Sequence, residues 1–491
     1  MYIDYSQFLY MLPELTLLLV LVAVFVVDFM TADERDRDGF NTIVCGLLLI
    51  HILLTLGDSA KDQLFGGMFV VTPTIGVIKS ILAFGTLLVC LHAKSWIYDN
   101  DMAKFEGEFY LLVLSTLLGM YVMVSANHFL LFFLGLEMAS VPMACLVAYN
   151  KWSRESAEAG AKFILTATFS SGVMLYGLSM LYGSVGNLFF RDFAQNITAT
   201  PLAIAGLVFF FSGLAFKLSL VPFHFWTADT YQGAPTPVTG YLSVISKGAA
   251  AFALFTILTK VFANLFDFWH PMLCIVIVLS ITVANLFAIR QRNIKRFMAF
   301  SSISQAGYIM LALLSGGDWG TSVSALTYYV LIYIVANIAV FAIISLIETN
   351  TGGCVNICDY NSLYKTNPGL SFVMTLALFS LGGIPPFAGM FSKFFVFMAA
   401  VKGYTIDTNV GLITYAVVFI ALVNTVVSLY YYLLIVKAMY IKPNNYPVFF
   451  IEADINTKLT LAICTVGVVI FGIASAVYTW IYASTVDHIF L

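Results

Sequence analysis

The sequence predicts an all-α polytopic membrane protein of about 14 transmembrane helices with both ends on the outer side, and three observations carry that prediction. Hydrophobic residues make up 61% of the 491 positions and charged residues only 10%, with a mean hydropathy of +0.94, far outside the soluble range. Apolar runs near the roughly 20 residues needed to cross a bilayer core recur from one end of the chain to the other. The basic residues are concentrated in alternate connecting segments.

The spans follow in order, with ends approximate by several residues. Span one covers residues 8 to 30 and begins through Leu12-Pro13-Glu14. It lacks a basic leader and a small-residue cleavage site, so it reads as a retained helix rather than a signal peptide. Spans two, three and four cover 41 to 57, 73 to 93 and 109 to 125. Asn127 then reads as the N-cap of span five, which ends near Tyr149. Span six covers 158 to 183 and span seven 201 to 221, and span eight starts at Thr236-Pro237, a cap and first-turn pair. Spans nine to eleven occupy 271 to 289, 297 to 315 and 322 to 347. The run from 368 to 402 is too long for one crossing and contains Gly382-Gly383-Ile384-Pro385-Pro386, so span twelve should be broken. Spans thirteen and fourteen cover 410 to 436 and 459 to 483.

With the N-terminus outside, fourteen of the 23 basic residues fall in inner loops, among them Arg35, Arg37, Lys94, Lys151, Arg290, Arg296, Lys365 and Lys442. Only Lys61, Arg191, Lys260 and Lys402 fall outside, and five lysines lie within spans. Seven cysteines show no disulfide pattern. Five lie in apolar runs, and nothing near Cys354 and Cys358 completes a metal or cluster set. No redox cofactor, metal or nucleic-acid site is expected in this chain.

One stretch, Gly213 to Phe252, resists an explanation by apolar packing. Lys217 ends one apolar run and Lys247 lies inside another. Between them stand Pro222, His224, Trp226, Asp229, Tyr231, Pro235 and Pro237, which no lipid-exposed helix could carry. Pro222 lacks the N–H that would bond the Leu218 carbonyl, so the helix should stop just past Lys217. Pro386-Phe387 repeats Pro222-Phe223 five spans later, with Lys393 nearby. An odd offset means opposite orientation, the arrangement in which sites form at broken helices near the midplane.

Depth sorts the ionisable residues. Glu137 lies ten residues past Asn127, about 15 Å at 1.5 Å per residue, near the middle of a core about 30 Å thick. Lys247 lies equally deep past Pro237, and Lys393 lies about 14 Å before Lys402. Such residues cost at least about 2.5–3.5 kcal/mol each at a helix centre, which implies use. A buried lysine holds its proton less tightly than an exposed one, and lysines outnumber carboxylates at this depth, so a row of them can exchange protons. Lys79, near a span end, reads as a snorkelling side chain. Lys162 follows Glu158 at helix-pair spacing and suits either surface stapling or a channel mouth. Asp229 and His224 read as holding the loop by satisfying freed backbone groups, with His224 also able to relay protons. The Ser301 to Gln305 run SSISQ reads as capping and packing.

The run FKLSLVPFHFWTADTYQGAPTPV, the Leu12-Pro13-Glu14 lead-in, Glu137 and RNIKRFMAFSSISQAGY at 292 to 308 resemble the antiporter-like membrane subunits of respiratory complex I, over nearly the whole chain. An eighth span without histidine and the absence of a long amphipathic helix after span fourteen point away from the sister subunits L and M.

The resemblance implies two inverted five-helix repeats, at 109–263 and 264–437, between an N-terminal three-helix segment (1–108) and a C-terminal loop and last helix (438–491). It implies a proton relay of Glu137, Lys217, Lys247 and Lys393, supported by Lys162, Pro222, His224, Asp229 and Pro386. The chain would then be a bacterial inner-membrane subunit of NADH-quinone oxidoreductase, translocating protons with no redox centre of its own. FMN, Fe–S clusters and quinone would reside in partner subunits. Its neighbours would be the sister subunit M on one side and the small subunits K, J and A on the other, with lipid around them. The alternative is an Mrp-type cation/proton antiporter subunit with the same fold.

The topology is checked by cysteine labelling: engineered sites near Asp4 and His488 should label from outside, and sites in the 290–296 loop from inside. Termini labelling from opposite faces would overturn the even span count.

Overall fold

A computed structural model describes residues 5–31, 39–56, 61–100, 102–444, 447–474 and 476–485. Arg35, Arg37, Asp4 and His488 lie outside the described residues. The apolar runs become helices: α1 (Leu12–Met30), α2 (Phe40–Thr55), α3 (Pro73–Asp99), α4 (Glu106–Ser125), α5 (Phe129–Val147), α6 (Arg154–Val185), α7 (Phe190–Asn196), α8 (Pro201–Leu218), α9 (Phe225–Gly233), α10 (Thr236–Tyr241) and α11 (Lys247–Thr256). They continue as α12 (Phe266–Ile289), α13 (Ile294–Met310), α14 (Trp319–Thr351), α15 (Leu363–Thr366), α16 (Pro368–Gly382), α17 (Ala388–Val401), α18 (Asn409–Tyr440), α19 (Ile455–Ile473) and α20 (Ala476–Thr485). A two-stranded hairpin, Asp62–Leu64 with Phe69–Val71, precedes α3. Among the described residues, 12 helical segments are long and apolar enough to cross a membrane. The expected count of about 14 is not reached by that measure, because α2 is short and the twelfth run is divided into α16 and α17.

Burial orders the bundle. The apolar stretches of α13 and α14 are wholly buried and the Thr236–Val261 span is 94% buried, whereas those of α1 and α6 are only 28% buried. The interior spans include the helices that carry Lys247 and the Ser301–Gln305 run, whose polar side chains meet other helices instead of lipid. Between α10 and α11 the helix widens into a π-turn over Leu242–Ser246, immediately before Lys247.

Two N-cap expectations need correction. His128, not Asn127, caps α5, its Nδ1 accepting from the Leu130 N–H at 3.2 Å, while Asn127 donates to the Gly67 carbonyl at 2.8 Å. Thr236 is the first residue of α10, and its hydroxyl donates to the Glu348 carboxylate instead of capping.

The two breaks are built alike. α8 ends at Leu218; Ser219 adopts φ 61° and the Leu220 N–H closes on the Ala215 carbonyl at 2.9 Å. α16 ends at Gly382; Gly383 adopts φ 84° and the Ile384 N–H closes on the Phe379 carbonyl at 3.0 Å. Each is a left-handed helix stop that consumes an orphan carbonyl, with proline three residues later. A second feature also occurs twice. Phe129 and Phe190 donate to the Leu188 and Asn127 carbonyls, as Ile294 and Ile357 donate to those of Val355 and Arg292.

At the second break α16 and α17 approach so closely that a Cβ on Gly389 would fall 1.7 Å from the Ser380 carbonyl oxygen. Gly389→Leu should therefore lower the yield and melting temperature of the folded protein, at a cost of about 1–3 kcal/mol or more. A thermal melt indistinguishable from the parent would mean that this contact does not constrain the break.

Candidate functional site

The site is built on α5 and α13, whose residues stand in matching register. Glu137 and Ser140 lie eight and eleven positions past Phe129, and Ser302 and Gln305 lie eight and eleven past Ile294. On each helix the two are one turn apart and share a face.

On α5, Ser140 Oγ donates to the Leu136 carbonyl at 2.6 Å and accepts from Lys217 Nζ at 2.8 Å. Lys217 is buried at the last turn of α8. Glu137 is half-buried and accepts from Ser171 of α6 at 2.5 Å. Glu137 and Lys217 form no ion pair within 4.0 Å; they are linked through one turn of α5.

On α13, Ser302 Oγ donates to the Ser243 carbonyl at 3.3 Å and accepts from Lys247 Nζ at 2.8 Å. Lys247 is 1% exposed and lies 5.6 Å from the Tyr231 ring centre. Gln305 Nε2 donates to the Leu381 carbonyl at 3.2 Å, and Lys393 Nζ donates to the same carbonyl at 2.9 Å. That carbonyl belongs to the last turn of α16, where the broken helix leaves acceptors free and presents its negative end. Tyr308 packs its ring 4.9 Å from Lys393 Nζ. The SSISQ run is thus neither a cap nor mere packing, since Ser302 accepts from Lys247 and Gln305 shares the carbonyl that Lys393 uses. The only signal for it was a run of polar residues wholly inside a buried span.

The remaining expectations sort by position. Lys162 is exposed and pairs with both Glu158 (2.7 Å) and Asp229 (2.8 Å), so it is stapled to its own helix and also lines a cavity of about 180 Å³ with Glu155, Gln232 and Arg296. Asp229 also binds Arg296 at 2.6 Å. Partial burial opposes ionisation of Asp229, but the hydrogen bonds from Lys162 and Arg296 outweigh it and hold the carboxyl below its usual range. Asp229 therefore serves side chains rather than freed backbone groups. His224 stands before α9 without a side-chain cap bond, its Nδ1 buried and unpartnered. The backbone freed around Pro222 is satisfied instead by Trp226 Nε1, which donates to the Phe216 carbonyl at 3.1 Å, and by Ser280 Oγ, which accepts from the Val221 N–H at 2.9 Å. Pro386 sits in the second break beside Phe387. Lys79 does not snorkel: it is 1% exposed and ion-paired with Glu14. Lys295, assigned to a loop by sequence, is buried and donates to the Ala234 carbonyl (2.9 Å) and to Glu348 (3.2 Å), fixing the start of α10.

Lys217, Lys247 and Lys393 thus donate to neutral oxygens, two serine hydroxyls and the Leu381 and Gly382 carbonyls, and none of these three is held by a carboxylate. Such an ammonium can lose its proton without leaving a buried counter-charge unpaired. No group of three or more His, Cys, Asp and Glu side chains among the described residues could hold a metal.

Buried lysines at helix breaks inside a bundle of spanning helices define a polytopic membrane protein of the ion-translocating class. The family model described as "NADH:quinone oxidoreductase/Mrp antiporter, TM" matches residues 126–423, and the chain belongs to that family. It is 58% identical to NADH-quinone oxidoreductase subunit N of Phocaeicola vulgatus over 97% of this chain and 98% of that one. The subunit N of Desulforamulus reducens is 35% identical, over 94% of each. A chain of respiratory complex I from Thermus thermophilus superposes with a TM-score of 0.79 at 29% identity, covering 96% of this chain and all of that one. A chain of the Mrp complex from a Dietzia species superposes at 0.83 with 18% identity, over 98% and 97%, which is a likeness of fold.

Asp229 gives the site its pH-dependent tie. Because its folded pKa is lowered, the tie is complete above the ordinary carboxylate value of about 3.9 and is lost as pH falls through the lower folded value. Asp229→Asn should flatten the acid side of a stability-against-pH profile and change little at neutral pH, as exposed pairs contribute about 0.2–1 kcal/mol each. An unchanged acid limb in the variant would show that the cluster adds nothing.

Proposed function

We propose that this chain is a proton-translocating membrane-arm subunit of NADH-quinone oxidoreductase. Quinone reduction elsewhere in the complex drives proton movement through Glu137, Lys217, Lys247 and Lys393. The observation that carries the reading is the row of buried lysines bonded to neutral acceptors, which leaves each free to gain and lose a proton. The high identity to subunit N of other bacteria supports the particular complex; the Mrp reading has the shared family model and the fold in its favour.

The topology we infer has 14 spans, counting α2 as a short crossing and α16 with α17 as one broken crossing. Its two inverted repeats, 109–263 and 264–437, are supported by the paired helix stops and paired backbone clasps. The chain lies in the bacterial inner membrane with both termini outside, between a sister antiporter-like subunit M and the small subunits K, J and A. FMN, the Fe–S clusters and quinone belong to partner subunits. Lys162, Asp229 and Arg296 form the inner mouth. Glu137 and Ser140, one turn apart, offer Lys217 alternative partners, so a small shift of the broken helix moves the ammonium between a carboxylate that favours its charged form and a hydroxyl that does not.

In sealed vesicles with assembly confirmed, Lys247→Ala should lower both proton pumping and quinone reduction severalfold, because a tightly coupled pump stalls when its channel blocks. Lys247→Arg should be as damaging, since guanidinium effectively never deprotonates. Full activity of assembled Lys247→Ala would remove this residue from the path. Glu137→Gln should impair pumping severely while Glu137→Asp retains part of it; the reverse order would rule out the two-partner switch.

A further inference from the structure

The lysine row does not account for every buried charge. Glu14 of α1 and Lys79 of α3 are ion-paired with side-chain exposures of 6% and 1%. Around them, His51 of α2 and Tyr121 of α4 complete a cluster drawn from four helices. His51 Nδ1 lies 2.8 Å from Thr16 Oγ1, and its Nε2 lies 3.0 Å from Tyr121 Oη. Glu14 and Lys79 stand near the starts of their helices, His51 and Tyr121 near the ends of theirs. Since α1 to α4 alternate in direction, all four residues lie on one side of the bundle. The hairpin lies there too, placing the Phe69 ring centre 5.2 Å from Lys79 Nζ. With the orientation proposed above, both termini outside, this is the outer side.

Two features separate this cluster from an inert staple. A purely structural pair should saturate its carboxylate, yet Glu14 Oε2 is buried and accepts no hydrogen bond from the protein. That oxygen is free to take a proton. The hydroxyl arithmetic around His51 is the second feature. Thr16 Oγ1 donates to the Leu12 carbonyl at 2.7 Å, and Tyr121 Oη donates to the Lys79 carbonyl at 3.0 Å. Each hydroxyl can point either at its carbonyl or at the ring, so which His51 nitrogen donates and which accepts is set by the hydroxyl orientations. His51 can therefore exchange donor and acceptor roles toward Thr16 and Tyr121 by hydroxyl rotation, with no movement of heavy atoms.

We propose that Glu14 and Lys79, with His51 beside them, form a proton-release station on the outer side, additional to the lysine row. In the step, an N–H bond of the Lys79 ammonium breaks and an O–H bond forms on Glu14, leaving amine and carboxylic acid. The acid then gives its proton to water on the outer side, and the amine is reprotonated from the interior. The net change is one proton moved outward with both groups restored. Thr116 of α4 and Tyr241 of α10, 2.7 Å apart, carry polar contact from the helix that bears Tyr121 toward the helix that leads to Lys247. The inference rests on the translocation reading above.

The test uses the assembled complex in sealed vesicles, driven by NADH, with Glu14→Gln, the neutral double variant Glu14→Gln/Lys79→Met, Glu14→Asp and Lys247→Ala compared at equal assembly. Glu14→Gln should lower pumping by about threefold or more, as expected for loss of a positioned proton carrier. The double variant, which leaves no unpaired buried charge, should stay equally low, and Glu14→Asp should recover part of the rate with a shifted pH profile. A double variant that assembles and pumps like the parent would overturn the proposal and reduce the pair to a staple between α1 and α3. Should the glutamine variants fail to assemble, Glu14→Asp decides: a shifted pH profile supports the station and a profile coincident with the parent overturns it. Parent-like pumping by Lys247→Ala would instead fail the translocation reading itself, so the two failures are distinguishable.

Discussion

A helix that stops inside a membrane leaves carbonyls with no partner, and a lysine buried there has protons with no acceptor. The structure sets these two costs against each other. At the second break the Lys393 ammonium donates to the Leu381 carbonyl at the end of α16, so the interruption and the charge satisfy one another. Gln305 shares that carbonyl and Tyr308 lies against the ammonium, so the break is tied to α13 as well as to its own second half. Remove the break and the lysine loses its acceptor; remove the lysine and the helix end loses a donor.

The first break uses the same stop but spends its groups differently. Its freed carbonyl at Phe216 goes to the Trp226 indole and the Val221 N–H goes to Ser280, leaving Lys217 to a serine on another helix. Asp229, beyond the break, is engaged with Lys162 and Arg296 at the mouth of a cavity. One stop geometry thus serves an interior lysine in one half and links an interior lysine to an ionic cluster in the other. At matching offsets from their backbone clasps the two helices carry different chemistry: the carboxylate position on α5 is a hydroxyl on α13, and the hydroxyl position is an amide.

Neutral acceptors have a cost that the packing absorbs. A lysine against a serine hydroxyl has less electrostatic support than one against a carboxylate, and the surrounding aromatic faces of Tyr231 and Tyr308 supply part of the difference through their ring quadrupoles. Glu14 and Lys79 differ, being a pair of opposite charges both almost wholly buried, and they lie away from the lysine row among the first four helices.

Much of this was legible in the chain itself. Membrane class, the helix breaks at Pro222 and Pro386, and the presence of Lys217, Lys247 and Lys393 within apolar runs follow from the cost of putting a charge or a proline into a helix surrounded by lipid, a cost set by residues adjacent in sequence. The partners were not legible. Ser140 and Ser302 are ordinary in a membrane helix, where a serine can bond its own preceding turn, and nothing local says that a lysine 77 or 55 positions away will reach them. Lys79 read as a snorkelling side chain because its distance from a helix end was visible, whereas the Glu14 carboxylate that meets it, 65 positions earlier, was not. The caps failed for the same reason: Asn127 and Thr236 are good cap residues by type, but the hairpin carbonyl at Gly67 and the carboxylate of Glu348 took their side chains. The sequence by itself determined where charge and helix interruption enter the membrane, because those costs are paid along the chain; only the tertiary structure decided what each charge touches, because hydrogen-bond partners are chosen across helices by packing.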